Sequence, residues 1–170
     1  MDVKMQGISK KEIEIISSLE FDKRYFFTSK DIDKFAKNKM QRYNIVKNLI
    51  KKKRIVNLNR TKYYLVPIKA RTGLWTEHPY VIADEICDGE DYFIGGYAAA
   101  NYWRLTDQIP MQTDIYTTKR QGKAKILTAR LVFHRTTKNK IKRAVTKKIW
   151  GHNFKVLGKE DSRKWIKSRN

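Results

Sequence analysis

The chain carries a single thiol. Cys87 is the only cysteine among 170 residues, which excludes an intrachain disulfide and any multi-cysteine zinc site. No apolar run approaches the ~18 residues that a membrane span needs, and Met1–Lys11 lacks the apolar core of a secretory signal. Acidic residues are scarce too: 17 Asp and Glu stand against 38 Lys and Arg, for a formal net charge of +21. A chain that is 41% hydrophobic and 12% aromatic is nevertheless too apolar to be a disordered basic tail. The expectation is a folded, strongly cationic, cytoplasmic protein with no membrane partner, the size of one domain or two small ones.

The charge is clustered rather than scattered. Residues 1–66 carry a net +10, residues 75–117 a net −7, and residues 118–170 a net +16. Lys69 and Arg71 add to the basic side between the first two regions. Basic regions of this density on a folded protein point to a polyanionic partner.

Ser9 can cap a helix running to about Glu20, with Ile13, Ile16 and Leu19 on one face and Ile15 beside it. After an extended Phe21–Phe27, Ser29 can cap a short helix over Lys30–Lys37 that buries Ile32, Phe35 and Ala36. Asn38, with Gln41 three residues on, opens a third helix over Lys39–Lys53. Its wheel sets Tyr43, Val46, Leu49 and Ile50 inward. It sets Gln41, Asn44 and Asn48 outward, beside Lys51 and Lys52. Amide side chains can pair with adenine N6 and N7 in the major groove, while lysines reach phosphates. Then Arg54–Leu58 alternates, Asn59-Arg60-Thr61 turns, and Lys62–Val66 returns, a β-hairpin. Three helices and a hairpin predict a winged helix-turn-helix domain over 1–68. Gln41, Asn44 and Asn48 are expected to read bases. Lys39, Arg42, Lys47, Lys51, Lys52, Arg60 and Lys62 are expected on the DNA backbone.

A second domain is expected over 75–170. A helix from Thr76 or Glu77 passes through Val81, Ile82 and Ile86 to about Asp88-Gly89. Gly95-Gly96 suits a tight turn into a helix with Ala98, Ala99 and Ala100. Gln112–Thr118 and Ala124–Arg135 read as two strands joined by a basic turn, His152–Leu157 as a third, and Glu160–Arg169 as a last helix. The whole is α+β, with an antiparallel sheet expected in this second domain. Lys119, Arg120, Lys123 and Lys125 on the predicted hairpin, with Lys138, Lys140, Lys142 and Arg143, form a second basic surface. Two readings of it stay open: contact with phosphate or RNA, and a solvated face.

At Tyr92–Pro110 the sequence resembles the AbiEi-type antitoxins, and the resemblance extends over roughly Ser9 to Arg135. It implies a winged helix that binds inverted repeats in its own promoter and represses it. It also implies a functional pairing, in a type IV toxin–antitoxin system, with a nucleotidyltransferase-like toxin and without a required direct complex. Longer relatives continue past the position of Ser162. The resemblance therefore implies DNA binding more directly than antitoxicity.

Catalysis is set aside. A nucleotidyltransferase places Asp-x-Asp on the strand after its glycines to hold Mg²⁺. Here Asp114 is followed by Tyr116 where the second acid belongs. Neither a dinucleotide fingerprint nor a Walker A pattern is present. His78, His134 and His152 are too dispersed in sequence to suggest a metal site, and Cys87 reads as a buried structural thiol. Trp75, Trp103, Trp150 and Trp165 read as core and rim rather than as a base-stacking platform. No catalytic residue, metal or cofactor is assigned. The expectation is a sequence-specific double-stranded-DNA-binding repressor, and the alternative is a structural DNA- or RNA-binding protein without sequence choice.

Overall fold

The computed structural model describes residues 7–68, 70, 73 and 75–169, so Lys69 and Arg71 lie outside the described residues. The chain is α+β and divides into two compact units, Met1–Trp75 and Thr76–Asn170.

In the first unit, α1 spans Lys10–Phe21. Ser9 caps it: its Oγ accepts the Glu12 N–H at 3.3 Å, and its own N–H donates to Glu12 Oε2 at 2.7 Å. The inward face is Glu12, Ile15, Ile16 and Leu19, while Ile13, expected inside, is 46% exposed. β1 is Phe26–Thr28, followed by a 3₁₀ segment, Ser29–Phe35. Its cap is Thr28, not Ser29. The Thr28 N–H and hydroxyl both donate to Asp31 Oδ2, at 2.7 and 2.8 Å. That carboxylate holds the turn one residue earlier than the helix-start pattern suggests.

α2 is Lys39–Lys51, capped by Asn38, whose Oδ1 accepts the Gln41 N–H at 2.9 Å. β2 (Ile55–Asn57) and β3 (Lys62–Leu65) form the expected hairpin, with Asn59 Oδ1 accepting the N–H groups of Thr61 and Lys62 in its turn. β1 pairs with the far side of β3, giving a three-stranded antiparallel sheet in the order β1-β3-β2. Ile15, Ile16, Ile32, Leu49, Ile55 and Leu65 form the centre of this unit's core.

The second unit is a six-stranded sheet, mixed rather than antiparallel, with its strands in the spatial order Gly122–Ile126, Ala129–Arg135, Thr113–Thr117, Tyr92–Gly95, His152–Leu157 and Ala144–Ile149. α3 runs Pro79–Ile86, starting later than the sequence suggests, because Pro79 takes the first helical position and His78 Nδ1 accepts the Tyr80 N–H. β4 (Tyr92–Gly95) leads directly into α4 (Gly96–Tyr102). β5 (Thr113–Thr117) pairs antiparallel with β4 and parallel with β7. The expected strand Ala124–Arg135 is two strands, β6 (Gly122–Ile126) and β7 (Ala129–Arg135), folded back at Leu127-Thr128. Leu127 adopts φ 53° there, a conformation that its side chain does not announce in sequence.

α5 is the short Lys138–Ile141. β8 (Ala144–Ile149) pairs antiparallel with β9 (His152–Leu157), and β9 lies parallel to β4. α6, Lys159–Lys167, closes the unit and packs on α4, with acids in its first turn and lysines in its last.

The junction of β4 and α4 needs its glycines. A Cβ on Gly95 would meet the Tyr116 ring at 2.6 and 2.8 Å. Tyr116 cannot swing away, because its ring is stacked between Phe93 (centroids 5.0 Å) and His134 (4.8 Å). Gly95→Ala is therefore expected to cost about 1–3 kcal/mol, the usual cost of overpacking. Chemical denaturation of the full chain checks it, and an unshifted midpoint would mean that the stacked row yields.

Candidate nucleic-acid interface

Helix α2 buries Ile45, Val46 and Leu49 against its own unit. The inward arc thus differs from the expected one: Ile45 replaces Tyr43 and Ile50, which are 62% and 40% exposed. The opposite arc presents Met40, Asn44, Lys47, Asn48 and Lys51, all exposed, with Tyr43 and Ile50 beside them. A groove of about 320 Å³ runs along this helix toward β3, lined by Lys39, Tyr43, Lys47, Ile50 and Tyr63 among others.

Three expected contact residues are engaged elsewhere. Gln41 is half-buried, and its Oε1 accepts the Lys37 N–H at 2.6 Å, so its amide serves the helix start. Arg42 is half-buried and its guanidinium pairs with Asp33. Lys52 sends Nζ to Glu12 Oε2 at 2.6 Å. Burial alone would push the Glu12 carboxyl up, but the bonds from Lys52 and Ser9 outweigh it and hold the group below its ordinary value. A helical wheel of α2 shows neither the Lys37 N–H that Gln41 accepts nor the carboxylates that the 3₁₀ segment and α1 bring to Arg42 and Lys52. Lys39, Lys47, Lys51 and Arg60 are exposed, and Lys62 is half-buried at the start of β3.

The hairpin expected to carry Lys119, Arg120, Lys123 and Lys125 does not form between adjacent strands. The expected hairpin would join β5 to its partner, but β6 folds onto the outside of β7, leaving β7 between β6 and β5. Lys123 and Lys125 therefore sit on an edge strand, with Lys119 and Arg120 on the connection leading into it. The Arg120 guanidinium lies 4.0 Å over the Phe133 ring. Lys138, Lys140, Lys142 and Arg143 belong to α5 and its exit, between β7 and β8.

Sequence reasoning missed the partners of two histidines. His134 Nε2 lies 2.8 Å from Asp114 Oδ1, and His152 Nε2 lies 3.0 Å from Asp84 Oδ2. Asp84 also accepts the Tyr92 hydroxyl at 2.6 Å, and that oxygen in turn accepts the Lys155 N–H. Among the described residues no group of three or more His, Cys, Asp and Glu could hold a metal. Cys87, just past α3, is buried, and burial pushes its thiol up to about 12 despite Arg120 and Lys119 nearby. None of the four tryptophans is a core residue: Trp150, at the turn between β8 and β9, is 77% exposed and Trp75 43%. No helix among the described residues is long and apolar enough to cross a membrane.

The architecture is thus an α+β chain whose first unit pairs a helical layer with a three-stranded sheet and whose second is built on a mixed sheet. No family model matches the chain, and no curated protein matches it. Among solved structures, the chain is similar to the RV2827C protein from Mycobacterium tuberculosis, with a TM-score of 0.55 at 14% identity over 77% of its length. The chain spans 46% of that protein's length, and the likeness is one of fold.

Proposed function

We propose that the chain is a sequence-specific double-stranded-DNA-binding regulator of transcription, a repressor that acts through its first unit as a winged helix-turn-helix. The outer face of α2 carries this reading. It is exposed, it has no carboxylate, and it alternates amides able to pair with bases (Asn44, Asn48) with lysines able to reach phosphates (Lys47, Lys51). Met40, Tyr43 and Ile50 on the same exposed side suit apolar contact with thymine methyl groups. The element order supports the same reading: a helix, a strand, a 3₁₀ turn and a second helix precede a hairpin that carries Arg60 at its tip. In this arrangement α2 enters the major groove, and Arg60 and Lys62 bring the wing to the backbone. Lys119, Arg120, Lys123 and Lys125 of the second unit would add phosphate contacts of their own.

The resemblance of Tyr92–Pro110 to AbiEi-type antitoxins supplies the setting. The operator is an inverted repeat in the chain's own promoter, and the functional counterpart is a nucleotidyltransferase-like toxin that need not bind the chain directly.

The test is fluorescence anisotropy with the DNA upstream of the gene against a shuffled duplex of equal length. At about 150 mM salt, nonspecific affinity should be only about 10⁻⁴–10⁻⁶ M, and a specific site should exceed it by about 10³-fold or more. Asn44→Ala is expected to cost about 1–3 kcal/mol at one base position, whereas Gln41→Ala leaves base preference unchanged. Equal affinity for both duplexes, unaltered by Asn44→Ala, would replace this reading with a charge-driven structural binder.

A further inference from the structure

The second unit contains a concavity of about 510 Å³, within the size range of small-molecule sites. Its lining combines cationic with apolar and aromatic side chains. Arg135, Lys140, Arg143 and Lys164 bring four cations to it from β7, α5, the α5–β8 connection and α6. Asp161 is the one carboxylate among the lining residues, 3.8 Å from the Arg143 guanidinium. Phe93, Tyr116, Leu157 and Trp165 supply the apolar and aromatic part of the lining. Phe93 and Tyr116 are held in their stacked row, and the Trp165 ring is braced at 5.1 Å by Tyr97. These rings are fixed by their packing, with the Arg169 guanidinium also 5.5 Å over Trp165.

From this lining we propose that the second unit binds a free nucleoside di- or triphosphate, with the phosphates on the four cations and the base beside the apolar and aromatic residues. The cations exceed the carboxylate by three charges, which matches a polyphosphate better than a neutral nucleoside or a monoester. Asp161, exposed on one side, is placed to accept from ribose hydroxyls once phosphate competes for Arg143. A duplex backbone, by contrast, is served by cations alone and has no use for apolar and aromatic side chains among them. This inference does not rest on the DNA-binding reading, since every lining residue belongs to the second unit.

The experiment is isothermal titration of the full chain with ATP, with adenosine, with sodium tripolyphosphate and with a short single-stranded thymidine oligomer. Saturable ATP binding at one site with Kd below about 1 mM is expected, with adenosine and tripolyphosphate each weaker. Arg135→Ala and Arg143→Ala should each weaken ATP about 10- to 100-fold, the loss of a charge-assisted contact. Lys167→Ala removes a cation from α6 outside the lining and should leave ATP binding unchanged. Circular dichroism of each variant confirms that the unit is folded. Absence of saturable ATP binding overturns the proposal, as does an equal loss in Lys167→Ala. Tripolyphosphate binding as tightly as ATP would make the site a plain anion cradle. An oligomer binding more tightly than ATP, with the same sensitivity to Arg143→Ala, would make it a strand-binding groove.

Discussion

Lys52→Met is expected to destabilise the first unit by about 3–5 kcal/mol, the loss that follows when one partner of a buried ion pair is removed. Glu12 is 5% exposed and the Lys52 side chain 18%, so water replaces the lost ammonium poorly. One carboxylate oxygen, Glu12 Oε2, accepts both the Ser9 N–H and Lys52 Nζ, and so joins the start of α1 to the end of α2. In the native chain the carboxyl is held below its ordinary value. Its contribution is therefore present above the unfolded pKa and is lost as pH falls through the lower folded one. In Lys52→Met the lowering by Lys52 is gone, so the variant loses less stability than the native chain as pH falls through the carboxylate range and its deficit narrows. Denaturant midpoints at pH 7 and pH 4.5 check both statements. Adding Glu12→Gln should restore much of the loss at pH 7, because the amide oxygen still accepts from Ser9. Lys51→Met, one residue away and exposed, should change stability by less than about 0.5 kcal/mol. Equal effects at positions 51 and 52 would mean that Lys52 faces solvent.

The contrast between neighbouring lysines marks how far the sequence could be read. Caps are local, and the side chains of Ser9 and Asn38 act within three residues of themselves, so the starts of α1 and α2 were legible. The hairpin β2–β3 was legible for a similar reason: its turn and its alternation are contiguous. β4 was not, because all four of its residues are buried and no alternation survives. β8 was missed from the opposite cause, being an edge strand with no fully buried residue. In α2, apolar residues at Met40, Tyr43, Ile45, Val46, Leu49 and Ile50 cover too much of the wheel to define one inward arc. The choice of Ile45 over Tyr43 is made by packing against the rest of the core. The pairing of Lys52 with Glu12 spans 40 residues, and the concavity of the second unit assembles side chains from Phe93 to Trp165. Long-range assemblies of that kind leave no periodic trace.

On the proposed DNA-binding reading, raising salt from 50 to 200 mM is expected to weaken binding by one copy of the first unit about 150-fold, for four phosphate contacts and a slope near −3.6. The four are the exposed cations Lys39, Lys47, Lys51 and Arg60. Arg42 and Lys52 are half-buried and paired with Asp33 and Glu12. Two copies on an inverted repeat would double the slope. Involvement of Lys119, Arg120, Lys123 and Lys125 would steepen it further, and the quadruple alanine variant measures that share directly. Lys47→Ala with Lys51→Ala should flatten the slope by about two while leaving base preference intact, since phosphate contacts carry no sequence information. Arg42→Gln should leave the slope unchanged. Anisotropy titrations at four or more salt concentrations give these slopes. A slope indifferent to the loss of Lys47 and Lys51 would place the phosphates elsewhere and remove α2 from the groove.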